Sequence, residues 1–467
     1  MVPAVGNRLT DPQESRRDII AAYRRLTPAS AAAFARGTQS LAGGTTGNLR
    51  FFPPYPLYFQ SADGARMVDL DGRSYIDCFL CNGPMLLGHR HPAVLAEMRR
   101  HEALGSLVVN PLLAIEVAEA LQQVVPSAER VRFLNSGTEA VMAAARYARA
   151  FTGRHRIVKF FGHYHGQDDQ FLVGVGATPE PLGKGIPAAA ASASVVVPYG
   201  DLAALEAALR ARDVAAVLLD AAMHSGGLWG SSREYLQSVR ELTRRYGSLL
   251  IFDEVITGFR VALGGAQSLH SVTPDLSTFA KALGAGEKLA AVVGSAAVMG
   301  CLDPAAPGGV TVFQSGTGND GTSALAAGLA AIRQYRELDA SGGYARLHGL
   351  GQRLADGLRT AFAARRVPCH VNQLGPMLQL FLTDTRPEFA AYSGLDTGPV
   401  ALFYLALINE GVLLSLPTSN HIYLSFAHTQ QDIDEIVAKA GVVLDRWDFR
   451  SLVAASHAPP ADSRAHA

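Results

Sequence analysis

The sequence predicts an α/β protein built on a largely parallel sheet, and three observations carry that prediction. Between about residues 93 and 300, strand-sized apolar runs alternate with helical stretches. The runs are apolar along their length, as expected of strands covered on both faces. Turn-rich, alternating segments precede this region and a long helical pattern follows it. A second, smaller α+β part is therefore expected from the N- and C-terminal segments.

Taken in order, residues 1–13 are polar and read as a flexible N-terminus, and an amphipathic helical segment follows at about 14–36. Residues 55–77 alternate and carry Asp63-Gly64 and Asp71-Gly72, pairs that favour tight turns between short antiparallel strands. The N-terminal segment is thus expected to span 14–92. The large domain is expected over 93–330, with apolar runs at 130–135, 156–161, 194–199, 215–220, 248–253 and 290–295. Helical patterns at 93–105 and 138–151 separate some of them, and another begins at about 323. A C-terminal α+β domain is expected over 331–450, and the small, polar, Pro-containing stretch 451–467 reads as a disordered tail.

Charge and composition exclude several classes. Lysine plus arginine equals aspartate plus glutamate, 41 of each, so neither nucleic acid nor an anionic membrane is expected as the main partner. No run of 18 apolar residues occurs and the first residues lack the apolar core of a signal peptide, so a cytoplasmic enzyme is expected. Cys78-Phe79-Leu80-Cys81 is a single C-x-x-C, and two buried or semi-buried thiols are a better reading than a metal site. The only lysines are Lys159, Lys184, Lys281, Lys288 and Lys439, so chemistry that requires a primary amine has few candidates.

Four segments carry chemistry. The run at 130–135 leads into Ser136-Gly137-Thr138-Glu139 and then a helical pattern. The free N–H groups of Gly137 and Thr138, with the two hydroxyls, suit a phosphate, although an ordinary N-cap fits the same residues. The run at 248–253 ends in Asp253-Glu254. A carboxylate at the carboxyl end of a parallel strand can meet a cationic ring nitrogen or cap a helix. Lys281 sits among small and apolar residues, 279–286. Desolvation there lowers an amine's pKa and leaves it free for a Schiff base, against the alternative of a lysine extending to solvent. Finally, Gly162-His163-Tyr164-His165-Gly166 places an aromatic ring between glycines, suited to stacking on a planar ligand. The histidine pair alone is a weak metal signal, and no metal site is expected.

Together these segments resemble the class III, fold-type I aminotransferases that use pyridoxal 5'-phosphate (PLP), closest to the group of glutamate-1-semialdehyde 2,1-aminomutase. The resemblance covers roughly 42–444, with the motifs at 135–140, 162–166, 252–260, 280–281 and 314–317 in the family's order and Lys281 lying 28 residues after Asp253. Asn82 to His89 and His91-Pro92 match as well. The resemblance implies a mainly parallel seven-stranded sheet between helices. It implies that Lys281 forms the Schiff base and moves the proton, and that Asp253 pairs with the pyridinium nitrogen. Tyr164 and Val255 would cover the two ring faces, and Ser136, Gly137 and Thr138 would hold the phosphate. Thr317 would come from the neighbouring subunit of a homodimer, and Arg50 would bind a substrate carboxylate.

Several positions depart from the family. Asp220-Ala221 stands where the family has Glu-Pro, and Gly284-Ala285-Gly286-Glu287-Lys288 replaces its glycine-rich, proline-containing loop. Gly321-Thr322 replaces an Asn-Pro, and Asn420 replaces a glutamate of the aminomutases. His224, Trp229, Asn420 and His421 therefore become candidates for substrate selection. The expected activity is transfer of an amino group between a donor and a carbonyl acceptor. The alternatives are an intramolecular aminomutase or racemase and, from another class, a protein that binds PLP without catalysis.

Overall fold

The computed structural model describes residues 11–176, 178–306, 312–383, 387, 395–415 and 421–456. The chain divides into two compact units, one formed by residues 1–82 and 347–467 and the other by 83–346. A boundary at 330 would cut the helix Thr322–Ala340, which is continuous and packs on the helices Pro92–Glu102 and Leu112–Val124.

The larger unit is organised by a seven-stranded sheet. Its strands are β1 (Arg130–Leu134), β2 (Arg156–Phe160), β3 (Ser194–Val197), β4 (Val214–Leu219), β5 (Leu249–Asp253), β6 (Leu276–Phe279) and β7 (Ala290–Gly294). Their order is β1-β7-β6-β5-β4-β2-β3. Only β7 runs against its neighbours, antiparallel to both β1 and β6. Strands β4 and β5 are buried at every position, which is why they read as unbroken apolar runs. The sixth strand did not stand out because Ser277 and Thr278 interrupt it. Both are fully buried, and their hydroxyls are bonded: Ser277 to Ser127 and Gln267, Thr278 to Asp253.

The helix Gly137–Thr152 covers one face of this sheet. Ala140, Ala143, Ala144, Ala145 and Ala148 are all buried, and their small side chains let the helix axis approach the strands closely. Gly153 ends it at φ 68°, a left-handed residue at the position where helices favour glycine.

In the smaller unit, Phe59–Asp63, Arg66–Asp69 and Ser74–Asp77 form an antiparallel meander, and Val412–Leu413 adds to it in parallel. Gly64 and Gly72 take φ of 52° and 77° in the two Asp-Gly turns, where a left-handed residue is required. A separate antiparallel sheet joins His370–Leu374, Met377–Phe381 and His421–Tyr423.

The two chain ends correct the sequence reading. Helix begins at Pro12, inside the stretch expected to be loose, because Asp11 accepts a capping bond from Gln13 N at 2.8 Å. The amphipathic segment is two helices, Pro12–Leu26 and Pro28–Gly37, since proline at 28 cannot continue the first. Residues 451–456 are helical rather than disordered. They belong to Phe449–Ser456, where Ser451 bonds Asp448 and Leu452 and Val453 are buried. The rest of the expected tail, 457–467, lies outside the described residues.

Candidate active site

Five parallel strands end on the same edge of the sheet, and each carries a candidate residue at or just past its carboxyl end. Strand β1 leads to Ser136–Thr138, β2 to Tyr164 and His165, β4 to Asp220, β5 to Asp253, and β6 to Lys281. Ligands of open parallel sheets bind at this edge.

The segment after β1 is an open helix N-terminus. Ser136 Oγ accepts from Glu139 N at 3.2 Å, and Glu139 Oε2 accepts from Asn135 N at 2.7 Å. Those two bonds orient the first turn and leave the N–H groups of Gly137 and Thr138 without acceptors among the described residues. Gly137 presses on Val255: a Cβ there would stand 3.0 Å from both Val255 methyls. Gly166, at φ 91°, lies against Thr138, where a Cβ would come 2.6 Å from Oγ1. Thr138 Oγ1 also accepts from Gln167 N at 3.2 Å. The 162–166 loop is thereby seated on the helix end.

Asp253 is buried and has three donors. Oδ2 accepts from His165 Nδ1 at 2.7 Å, and Oδ1 accepts from Val255 N at 3.1 Å and Thr278 Oγ1 at 3.2 Å. Thr278 is the register partner of Asp253 across β5 and β6, which is what aims its hydroxyl. Burial lowers the pKa of His165 against the pull of Asp253, so the ring donates from Nδ1 as a neutral imidazole. An ionised carboxylate accepts about four hydrogen bonds, so one position on Asp253 remains for a further donor.

The neighbouring Glu254 does something different. It is fully buried and accepts from Ala266 N at 2.8 Å, Gln267 N at 2.9 Å and the Thr257 hydroxyl. It therefore anchors the segment after β5.

Lys281 is half-buried, at φ 49°, the left-handed region that non-glycine residues rarely adopt. Tyr335 donates to Ala282 O at 2.9 Å, and Gly328 lets the helix Thr322–Ala340 close on Leu289 and Leu283, so the strained turn is clamped. Among the described residues its amine has no hydrogen-bond partner. Burial pushes that amine down to about 8, against the attraction of Asp253 and with repulsion from Arg260. Arg260 is fully buried and donates to Ile256 O and Gly83 O.

Asp220 was not singled out as a functional candidate from the sequence. It is buried, accepts from Ala222 N and His224 N at 2.9 Å each, and is pushed up to about 7 by burial. Its own N–H donates to His163 Nδ1 at 3.1 Å. The two histidines of the 162–166 loop thus hold one strand end each. Among the described residues no group of three or more His, Cys, Asp or Glu is placed to hold a metal ion.

The other candidates lie in different settings. Tyr164 is 38% exposed, and burial with Asp253 nearby raises its hydroxyl. Thr317 is exposed on a segment whose Asn319 Oδ1 accepts from Asn135 Nδ2 at 3.0 Å. His224 is buried within the Asp220 turn, and Trp229 Nε1 donates to Gly226 O at 2.8 Å. His421 is buried and bonds Gln379 across its strand pair. Arg50 is exposed in the smaller unit, and Asn420 lies outside the described residues.

An amine whose pKa burial lowers, a buried carboxylate with one acceptor position left, and a glycine-lined helix N-terminus fit an aldehyde-bearing, cationic-ring phosphate. The model of the class-III aminotransferase family matches residues 52–440. The chain belongs to the class-III aminotransferases. It is 38% identical over 418 residues to a glutamate-1-semialdehyde 2,1-aminomutase of Sulfurihydrogenibium azorense, covering 87% of this chain and 96% of that protein. Its fold is similar to an omega-transaminase from Sphaerobacter thermophilus, with a TM-score of 0.85, 35% identity, and coverage of 91% and 99%. A transaminase solved with PLP bound is similar at a TM-score of 0.83 and 29% identity, with 92% and 99% covered. As a class-III aminotransferase the protein is a PLP-dependent enzyme, and both amino transfer and amino migration fit its relatives.

Proposed function

We propose that this class-III aminotransferase moves an amino group from an amino-acid or amine donor to a carbonyl acceptor, with Lys281 and Asp253 as its catalytic residues. The observation that carries the reading is the three-donor seat of Asp253 beside a lysine amine that burial pushes down to about 8. PLP, when bound, supplies an aldehyde for amines and a ring that takes up the electron pair released at the substrate carbon. Asp253 holds the proton on the ring nitrogen. His165, Thr278 and Val255 N keep its carboxylate turned to that task. Lys281 Nζ carries the proton between substrate and cofactor. The N–H groups of Gly137 and Thr138 with the Ser136 hydroxyl receive the phosphate, Tyr164 and Val255 cover the ring, and Arg50 takes a substrate carboxylate.

We place the protein in the cytoplasm as a homodimer in which Thr317 reaches the neighbouring site. Support comes from the apolar surface around that segment: Leu107, which bridges to Gly321, is 54% exposed, Val109 85% and Phe313 80%. No helix among the described residues is long and apolar enough to cross a membrane.

A second reading, migration of the amino group within one substrate, is favoured by the 38% identity to an aminomutase. The two separate in a donor screen run with and without an added keto acid. Amino transfer requires the second substrate for sustained turnover, and product formed without one would establish migration. Borohydride reduction and peptide mapping test the anchor: the label is expected on Lys281, and recovery on Lys159 or elsewhere would refute the assignment.

A further inference from the structure

The loop 162–166 holds a second histidine that the cofactor seat does not use. His163 is buried, and its Nδ1 accepts from Asp220 N at 3.1 Å. Burial pushes it well below the usual imidazole range, with repulsion from His165 and Lys159 added, so the ring is neutral. A neutral imidazole carries one proton, and because Nδ1 accepts, that proton sits on Nε2. His165 is the other tautomer. Its Nδ1 donates to Asp253 Oδ2 at 2.7 Å, which leaves a lone pair on Nε2. Both Nε2 atoms are shut off from solvent and lack a hydrogen-bond partner among the described residues. One is a donor and the other an acceptor.

The two rings stand 5.6 Å apart between centroids. Their other neighbours are aromatic or already engaged. Phe160 and Tyr199 pack on His163, and Phe171 packs on His165. The Tyr199 hydroxyl shares a hydrogen bond with Ser231, and the Lys159 amine donates to Phe171 O and Val173 O. Buried polar atoms in native proteins are nearly always bonded, and an ordered water is a common partner. Two hydrogen bonds of about 2.9 Å through one oxygen span up to about 6 Å, which covers the separation of the rings.

We infer that one buried water joins the two histidines, accepting from His163 Nε2 and donating to His165 Nε2, and that His163 is thereby a positioning residue for Asp253. The inference rests on the reading of Asp253 as the carboxylate that meets the ring nitrogen. Which nitrogen of a histidine carries the proton is set by the bond the other nitrogen makes. A bond accepted at His165 Nε2 keeps the proton on Nδ1, where it donates to Asp253 Oδ2. The other tautomer turns a lone pair on the carboxylate and removes the donor that fixes its orientation.

The test uses the holoenzyme and two amide replacements that separate the nitrogens. His163→Gln keeps an N–H donor near the place of Nε2 and gives up the acceptor for Asp220 N. His163→Asn keeps an acceptor near the place of Nδ1 and gives up the outer donor. With KM for the amino donor unchanged in both, kcat is expected within about threefold of the starting enzyme in His163→Gln and about tenfold or more lower in His163→Asn. A role confined to holding Asp220 N gives the reverse order. That order, or equal rates in the two variants, overturns the inference. A crystal structure of the holoenzyme gives a readout besides activity and needs no variant to fold. A water within about 3.2 Å of both Nε2 atoms is expected, and its absence, or a protein group bonded to either atom, overturns the inference. If no amine is turned over, amino transfer falls and the crystal structure still decides the bridge. If amines are turned over without the bridge, the function stands and the role of His163 falls.

Discussion

Replacing Lys281 by methionine tests whether burial lowers the pKa of its amine. In the cofactor-free protein this amine gives up its proton near pH 8, against 10.5 for an ordinary lysine. Each pH unit between folded and unfolded values corresponds to about 1.4 kcal/mol. The charged side chain therefore costs the fold up to about 3 kcal/mol, an upper figure because the side chain keeps some contact with solvent. Below pH 8 both states carry the proton and the full cost is present. Between pH 8 and about 10.5 the unfolded chain binds the proton and the folded chain does not, so stability rises with pH by up to about 1.4 kcal/mol per unit. Lys281→Met removes the group and the slope it causes. Urea unfolding of both apoproteins should show the variant more stable by up to about 3 kcal/mol at pH 7, with the difference vanishing by about pH 10.5. Lys159, buried in β2 and pushed down to about 7, titrates identically in both proteins and cancels from the difference. A difference that stays constant from pH 7 to 10.5, or a variant less stable at pH 7, would refute the burial argument.

Three further substitutions probe the seat of the cofactor. Asp253→Asn should keep PLP bound, seen by its absorbance, and lower kcat on the order of a hundredfold or more; a near-normal rate would mean that another group holds the ring nitrogen. His165→Leu removes a 2.7 Å donor from a buried carboxylate and should lower unfolding free energy by about 1–3 kcal/mol. Unchanged stability would show that the bond contributes nothing. Gly137→Ala places a methyl 3.0 Å from both Val255 methyls and should weaken PLP affinity in equilibrium dialysis, with Val255→Ala restoring it; failure of the second change to rescue would rule out that contact as the cause.

Much of the fold could be read from the chain because strands packed inside a sheet leave an apolar record. Six of the seven strands of the large sheet read as such runs, including the antiparallel β7 and the partly exposed β1. The exception, Leu276–Phe279, carries Ser277 and Thr278 in its middle, and nothing local says that their hydroxyls will find Ser127, Gln267 and Asp253. Those partners stand 150, 10 and 25 residues away. The chain ends were misread for a related reason. Polar composition speaks of solvation, whereas the helix at Pro12 depends on one capping bond and that at Phe449–Ser456 on burying Leu452 and Val453.

The candidate site divides the same way. Residue types and their order along the chain were sufficient to identify the cofactor class and to name a lysine, an aspartate, a glycine-bearing helix start and an aromatic loop, because each motif is contiguous and its chemistry is local. Pairing was not local. Only the family resemblance chose Asp253 over the adjacent Glu254, since the residue types alone did not separate them, and the sequence did not foresee that His165 donates to one strand end while His163 accepts from another. Strand register and the seating of the 162–166 loop decided those contacts. They also decided which groups lost their water, and hence that the Lys281 amine is pushed down to about 8 and the Asp220 acid up to about 7. Burial is a property of neighbours brought together by the fold, and no single segment of chain contains it.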